Sequence, residues 1–159
     1  MSISTLAATS RTGLLARAAD YVELTKPRIA VLVLISVAAG GFLASLGQPD
    51  PIALVHALVG TLLTAASASA LNHYLERHSD QRMHRTANRP LPAGRLSERE
   101  VLVFSSVTII AGISYLAWMV GWLPALFAGL SWAVYVLAYT PLKSRSHWNT
   151  HVGAISGAM

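Results

Sequence analysis

Asn72, Glu76 and Asp80 are spaced four and four. Residues four apart on an α-helix are displaced by only about 40° around its axis, so an amide and two carboxylates would leave one face together. Oxygen donors of this kind suit Mg²⁺, which holds few protein ligands and keeps bonds to water or phosphate. Arg85 and Arg89 follow closely, and Lys143 and Arg145 come from a later segment. Metal-binding acids ringed by cations suit a polyphosphate: the metal bridges acid to phosphate oxygens, and Arg forks and Lys neutralise what remains. Two carboxylates alone would repel a diphosphate, whereas with Mg²⁺ they attract it.

Each of these residues also has a plainer reading. An arginine beside a membrane can be a topological anchor only, Glu76 can pair with a loop arginine, and a polar stripe at a helix end arises by chance. His73, His78 and His84 step by five and six, so they do not converge on one face and no zinc site is expected from them.

The elements that must carry these residues are apolar. Of the 159 residues, 53% are hydrophobic and only 12% charged, about half the charged fraction of a soluble domain. Ile29 to Leu46 has no charge, Pro51 to Leu71 has only His56, and Val101 to Tyr139 is charge-free with Gly121 and Pro124 as interruptions. A bilayer core needs about 20 helical residues. The expected architecture is therefore all-α, a polytopic transmembrane helix bundle with spans near 28–46, 51–71, 101–119 and 122–140. A signal peptide would hand over to a soluble chain, but three more apolar blocks follow the first. The absence of cysteine excludes disulfides and thiolate metal sites. Nucleic-acid binding, prompted by a pI of about 10.1, would leave four apolar blocks without a purpose.

Charge follows the same plan. Arg11, Arg17, Lys26 and Arg28 precede the first span, six arginines lie between Asn72 and Glu100, and Lys143 and Arg145 follow the fourth span. The links at Gly47–Asp50 and Val120–Leu123 carry no basic residue. All twelve thus fall on one side, which the positive-inside rule makes cytoplasmic, together with the segment 1–27.

Local signals set the boundaries. Asp50-Pro51 reads as an N-cap followed by proline at the first helical position, and Ser97 to Glu100 as a capping box. Pro90, Pro92 and Gly94 stop the charged stretch from remaining helical, so a helix through about Arg82 and then a loop are expected. Ala65 to Ser69 are small, and small residues leave room between helices for a hydrocarbon tail below the charged row. Trp118, Trp122 and Tyr115 read as interface anchors at the opposite boundary. His56 is expected to pack or to hydrogen-bond another helix. Gly40, Gly41, Gly153 and Gly157 are weak signals of close helix contact.

NHYLERHSDQRMHRTANRPLPAGRLS resembles the first loop motif of the protohaem IX farnesyltransferase (haem O synthase) family, within the intramembrane aromatic-prenyltransferase superfamily. YVELTKPRIAVLVLISVAAG and YTPLKSRSHWNTHVGAISGAM look like its other signatures. The resemblance implies that Asn72, Glu76 and Asp80 hold Mg²⁺ against farnesyl diphosphate, with Arg85, Arg89 and Lys143 on the diphosphate. Arg145 fits less well, because Ser144 stands where relatives place their second base. It further implies prenylation of the 2-vinyl group of haem b in a bacterial inner membrane, with haem-handling membrane partners. Such enzymes resemble a nine-helix bundle with a second acidic motif in a later loop. Asn149 to Met159 looks like the start of a fifth helix, so the chain reads as an N-terminal portion that is inactive alone. The alternative is a non-catalytic membrane protein whose basic loop binds anionic lipid or a partner.

Overall fold

A computed structural model describes residues 13–140 of the chain. It is all-α: α1 (Leu14–Leu24), α2 (Pro27–Ala44), α3 (Pro51–Arg82), α4 (Glu98–Met119) and α5 (Trp122–Ala133), the last continuing as a π-helical segment over Val134–Tyr139. α2, α3, α4 and the stretch Trp122–Tyr139 are each long and apolar enough to cross a membrane. The protein is a polytopic helix bundle, as its apolar blocks require. Lys143, Arg145 and the stub 149–159 lie outside the described residues.

The sequence signals at helix starts act as the chemistry demands. Asp50 accepts from the Ile52 amide at 3.0 Å, ahead of Pro51 at the first helical position. Ser97 and Glu100 form the reciprocal capping box: the Ser97 hydroxyl accepts from the Glu100 amide at 3.2 Å, and the Glu100 carboxylate accepts from the Ser97 amide at 2.9 Å. At the tight link between α4 and α5, Gly121 has φ +141°, a conformation that side chains resist.

α3 is the centre of the bundle and packs most extensively on α4. The seam between them is made by two glycines. A Cβ on Gly112 would sit 3.1 Å from the Gly60 carbonyl oxygen and 3.0 Å from the Thr64 amide nitrogen, and one on Gly60 would sit 2.5 Å from Leu116 Cγ. Across the same seam the Ser67 hydroxyl lies 2.9 Å from both the carbonyl and the hydroxyl of Ser105. Trp132 Nε1 donates to Ser67 Oγ at 3.1 Å, which ties in α5. Hydrogen bonds between helices and close small-residue contacts are what hold helices together where lipid offers no hydrophobic drive.

Three features depart from the expectation. α1 lies within the segment 1–27, which composition marks only as charged and cytoplasmic. The first span is Pro27–Ala44 rather than 28–46, and its end turns through Leu46 and Gly47 with positive φ. The loop after α3 is compact: Leu91 and Leu96 join Leu24, Ala70 and Val101 in a buried cluster flanked by Tyr21, Tyr74 and Phe104. Arg95 fastens α1 to this loop, bonding Asp20 at 2.5 Å, Glu23 at 2.8 Å and the Asn88 carbonyl at 2.9 Å.

The far end of the bundle holds the other sequence expectations. His56 and Tyr115 share a hydrogen bond of 2.6 Å between α3 and α4. Trp118 and Trp122 stand exposed, as interface anchors would, while Tyr115 is turned inward to the histidine.

Because the Gly112 contact is with backbone, Gly112→Ala is expected to destabilise the bundle by about 1–3 kcal/mol. Gly40→Ala, where a Cβ meets nothing within 4 Å, should be neutral or slightly stabilising. Denaturant unfolding of both variants in detergent micelles measures the difference, and equal stabilities would contradict the proposed seam.

Candidate active site

The oxygen row sits on the last three turns of α3, where the helix leaves its apolar stretch. Asn72 and Asp80 are buried at 2% and 4% exposure, so neither side chain faces bulk solvent, and Glu76 is half-buried between them. Burial of an amide and a carboxylate requires partners, and cations from two other segments supply them. Lys26, at the junction of α1 and α2, donates from Nζ to Asn72 Oδ1. Arg89, in the loop after α3, donates from Nη1 to Asp80 Oδ2 at 2.6 Å. Thr86 in that loop also bonds the Asp80 carbonyl at 2.9 Å, fixing the turn that delivers Arg89.

Lys26 holds an unusual backbone. It caps α2 with φ 51° and ψ 66°, the left-handed region that costs a non-glycine residue free energy. Pro27 disfavours the right-handed helical region for the residue before it, and the resulting kink aims the Lys26 stem across α3.

Lys26, Arg89 and Glu76 are each near enough to His73 for their charges to act on its ring, and Glu76 is near enough to act on Tyr135. His73 is 2% exposed, and neither ring nitrogen has a hydrogen-bond partner among the described residues. Lys26 and Arg89 thus bind the two ends of the row beside the buried His73, and Lys26 shares the lining of a cavity with Tyr135.

This cavity has a volume of about 200 Å³. Thr25, Lys26, Ser69 and Tyr135 lie at the end nearest the row, and Thr61, Val33 and Ala128 line the opposite end. Ala65, Ala68 and Ser69 form its α3 wall, so the small residues do leave a space where the sequence suggests one. Its length along α3, from Ser69 to Thr61, is about 12 Å at 1.5 Å per residue.

The remaining arginines between Asn72 and Glu100 divide. Arg77 stacks on Tyr74 with its guanidinium carbon 4.2 Å from the ring centroid and bonds Glu98 at 3.0 Å, and Arg95 holds α1. Arg85, expected beside Arg89, is exposed. Arg77, Arg89 and Arg95 thus bind acids of this chain, whereas Arg82, Arg85 and Arg99 are exposed. Among the described residues no group of three or more His, Asp or Glu side chains converges as a metal site; the row offers two carboxylates and an amide. Composition gave no hint of the Lys26 contact, of Tyr135 or of Trp132 at the cavity. Lys26 reads from sequence as a topological charge, and only the proline after it signals a bend.

The profile of the UbiA prenyltransferase family matches residues 33–159. The chain belongs to that family. It is 44% identical over 149 residues to the protoheme IX farnesyltransferase of Solibacter usitatus, covering 88% of this chain and 51% of that protein. The enzyme of the same name from Rhodopirellula baltica is 42% identical, over 87% of this chain and 48% of its own. That from Koribacter versatilis is 39% identical, over 99% and 52%. The chain spans about half the length of these curated relatives. No solved structure matches it. In this member of the UbiA family, the matched region contains all of the row and its Arg89 partner but begins after Lys26.

The Asp80–Arg89 pair gives a stability test. Arg89→Ala leaves a buried carboxylate without its counter-charge and should cost on the order of 2 kcal/mol, less than a fully buried pair because the arginine side chain is 24% exposed. Arg85→Ala should fall within about 0.5 kcal/mol of the parent. Adding Asp80→Asn to Arg89→Ala should recover most of the loss in unfolding titrations, and strict additivity would show that the pair is not coupled.

Proposed function

We propose that this chain forms the N-terminal half of a Mg²⁺-dependent farnesyltransferase that converts haem b to haem O. The observation that carries the reading is the row of oxygen donors Asn72, Glu76 and Asp80 at the end of α3, its two outer members buried, with Arg89 on Asp80 and with Lys26 joining Asn72 to an apolar cavity. The similarity to protoheme IX farnesyltransferases supports the choice of substrates.

The donor set fits Mg²⁺. Amide and carboxylate oxygens are its preferred ligands, and the groups that meet Asn72 and Asp80 are themselves cations, standing where a divalent ion would bring the same sign of charge. Asn72, Glu76 and Asp80 would hold the metal, which when bound would bridge the acids to diphosphate oxygens and stabilise the charge of the leaving group. Arg89 and, from beyond the described residues, Lys143 and Arg145 would neutralise the rest, with Arg85 at the outer edge. The cavity would take the farnesyl chain, excluding water from the allylic carbon.

In this reaction the bond between C1 of farnesyl diphosphate and its bridging oxygen breaks, and diphosphate leaves with the electron pair. The π electrons of the haem 2-vinyl group form the new carbon–carbon bond. Water adds to the cation left on the porphyrin side chain and loses a proton, giving a hydroxyethylfarnesyl group. Interactions that strengthen as charge develops on diphosphate are those that accelerate the step.

The full protein would be a nine-helix bundle in a bacterial inner membrane, with the row and the N-terminus cytoplasmic. The outer faces of α2 and of Trp122–Tyr139 are largely exposed, offering surface to lipid or to further helices. A second acidic motif would come from the other half, and the 159 residues alone would lack part of the metal clamp. Haem-handling membrane proteins would be partners.

In the full-length enzyme, Asp80→Asn is expected to abolish Mg²⁺-dependent binding of farnesyl diphosphate, measured by calorimetry in nanodiscs, while membrane insertion is unchanged. Binding equal to the parent would defeat the metal site. Membranes containing only residues 1–159 should yield no haem O by chromatography, and appreciable turnover would show that this half is sufficient.

A further inference from the structure

Lys26 lies outside the row of three residues that marks the site, yet its side chain reaches that row. Its ammonium bonds the buried Asn72 oxygen, and the residue also lines the cavity beside Thr25, Ser69 and Tyr135. It therefore touches both the polar row and the apolar chamber, at the boundary where the head and tail of an amphiphilic diphosphate would meet. Arg89 bonds the other end of the row at Asp80, eight residues or about 12 Å farther along the helix.

The strain is informative. A left-handed backbone at a non-glycine residue persists only where its surroundings over-determine it, and such residues concentrate at ligand sites. Lys26 is held there from both sides: Thr25 bonds back to the carbonyls of Tyr21 and Val22 at 3.2 Å each, and the Lys26 carbonyl accepts from Ile29 at 2.9 Å and Ala30 at 3.1 Å. Ser69 fastens the end of α1 by donating to the Leu24 carbonyl at 2.9 Å. The backbone of Lys26 is thus anchored beside the row and the cavity.

An ammonium and a metal ion cannot both take the same side of one amide oxygen. We propose that Lys26 is a diphosphate-binding residue whose ammonium exchanges partners when ligand arrives, leaving the Asn72 oxygen to the metal and turning to phosphate oxygens at the cavity mouth. This rests on the reading of the row as a metal–diphosphate site. An anionic phosphate oxygen is a stronger acceptor for an ammonium than the neutral amide oxygen of Asn72. Before ligand enters, the same ammonium satisfies a buried amide that would otherwise be left without a partner.

The exchange predicts effects of opposite sign on two ligands. In the full-length enzyme in nanodiscs, Lys26→Met keeps the apolar stem and removes the charge. Calorimetry with Mg²⁺ alone should show affinity unchanged or raised about threefold, since the competitor for Asn72 is gone. With inorganic pyrophosphate at saturating Mg²⁺, affinity should fall about tenfold. Lys26→Arg should restore pyrophosphate affinity to within about threefold of the parent.

Parallel loss of Mg²⁺ and pyrophosphate affinity in Lys26→Met would overturn the assignment, because a purely structural lysine weakens the whole site. Unchanged pyrophosphate affinity would overturn it too, while leaving the metal site standing. If the parent enzyme itself failed to bind Mg²⁺–pyrophosphate, the reading of the row would fall and this assignment with it.

Discussion

Asn72, His73 and Asp80 are buried at the one end of α3 where the chain is charged, and polar groups out of contact with water must be satisfied from within. Much of the surrounding architecture follows from this constraint. Asn72 needs a donor, and the kinked junction between α1 and α2 delivers Lys26. Asp80 needs a counter-charge, and the turn fixed by Thr86 delivers Arg89. The junction and the loop can serve only if they are themselves held, which Leu24, Leu91, Leu96 and Val101 accomplish by packing as a small core over the end of the bundle. A water-soluble style of core therefore caps a membrane-type bundle.

The bundle below follows different rules. Its helices meet through Gly60 and Gly112, through Ser67 and Ser105, and through the Trp132 indole, because apolar side chains gain little from one another when lipid is the alternative. Close approach of α3 to α4 leaves the other face of α3, with Thr61, Ala65 and Ala68, to line the cavity. One helix thus uses its small residues in two ways: to approach a neighbour closely and to keep a chamber open.

Much of this was legible in the sequence, for physical reasons that differ from element to element. Four spans were readable because a small soluble core has no room to bury apolar blocks of bilayer length on every side, and the caps at Asp50 and Ser97 because their chemistry is local. The four-residue spacing of Asn72, Glu76 and Asp80 needed only helical geometry. What was not legible depends on contacts distant in the chain. Lys26 meets Asn72 across 46 positions, and Arg95 meets Asp20 across 75, so each reads locally as one more cytoplasmic charge. Gly60 and Gly112 look no different from Gly40, whose position is open. α1 escaped notice because an 11-residue helix with charges on it is too short and too polar for the hydropathy signal that reveals the spans.

His73 is the residue this scheme leaves unsettled in energy, and it constrains how the site can work. A buried imidazole that no described residue hydrogen-bonds carries a desolvation cost. Lys26 and Arg89 lie close enough for their charges to act on its ring, so any rearrangement of either cation also changes the environment of His73. The end of α3 thus combines two hydrogen-bonded polar side chains with a buried histidine that none of the described residues bonds.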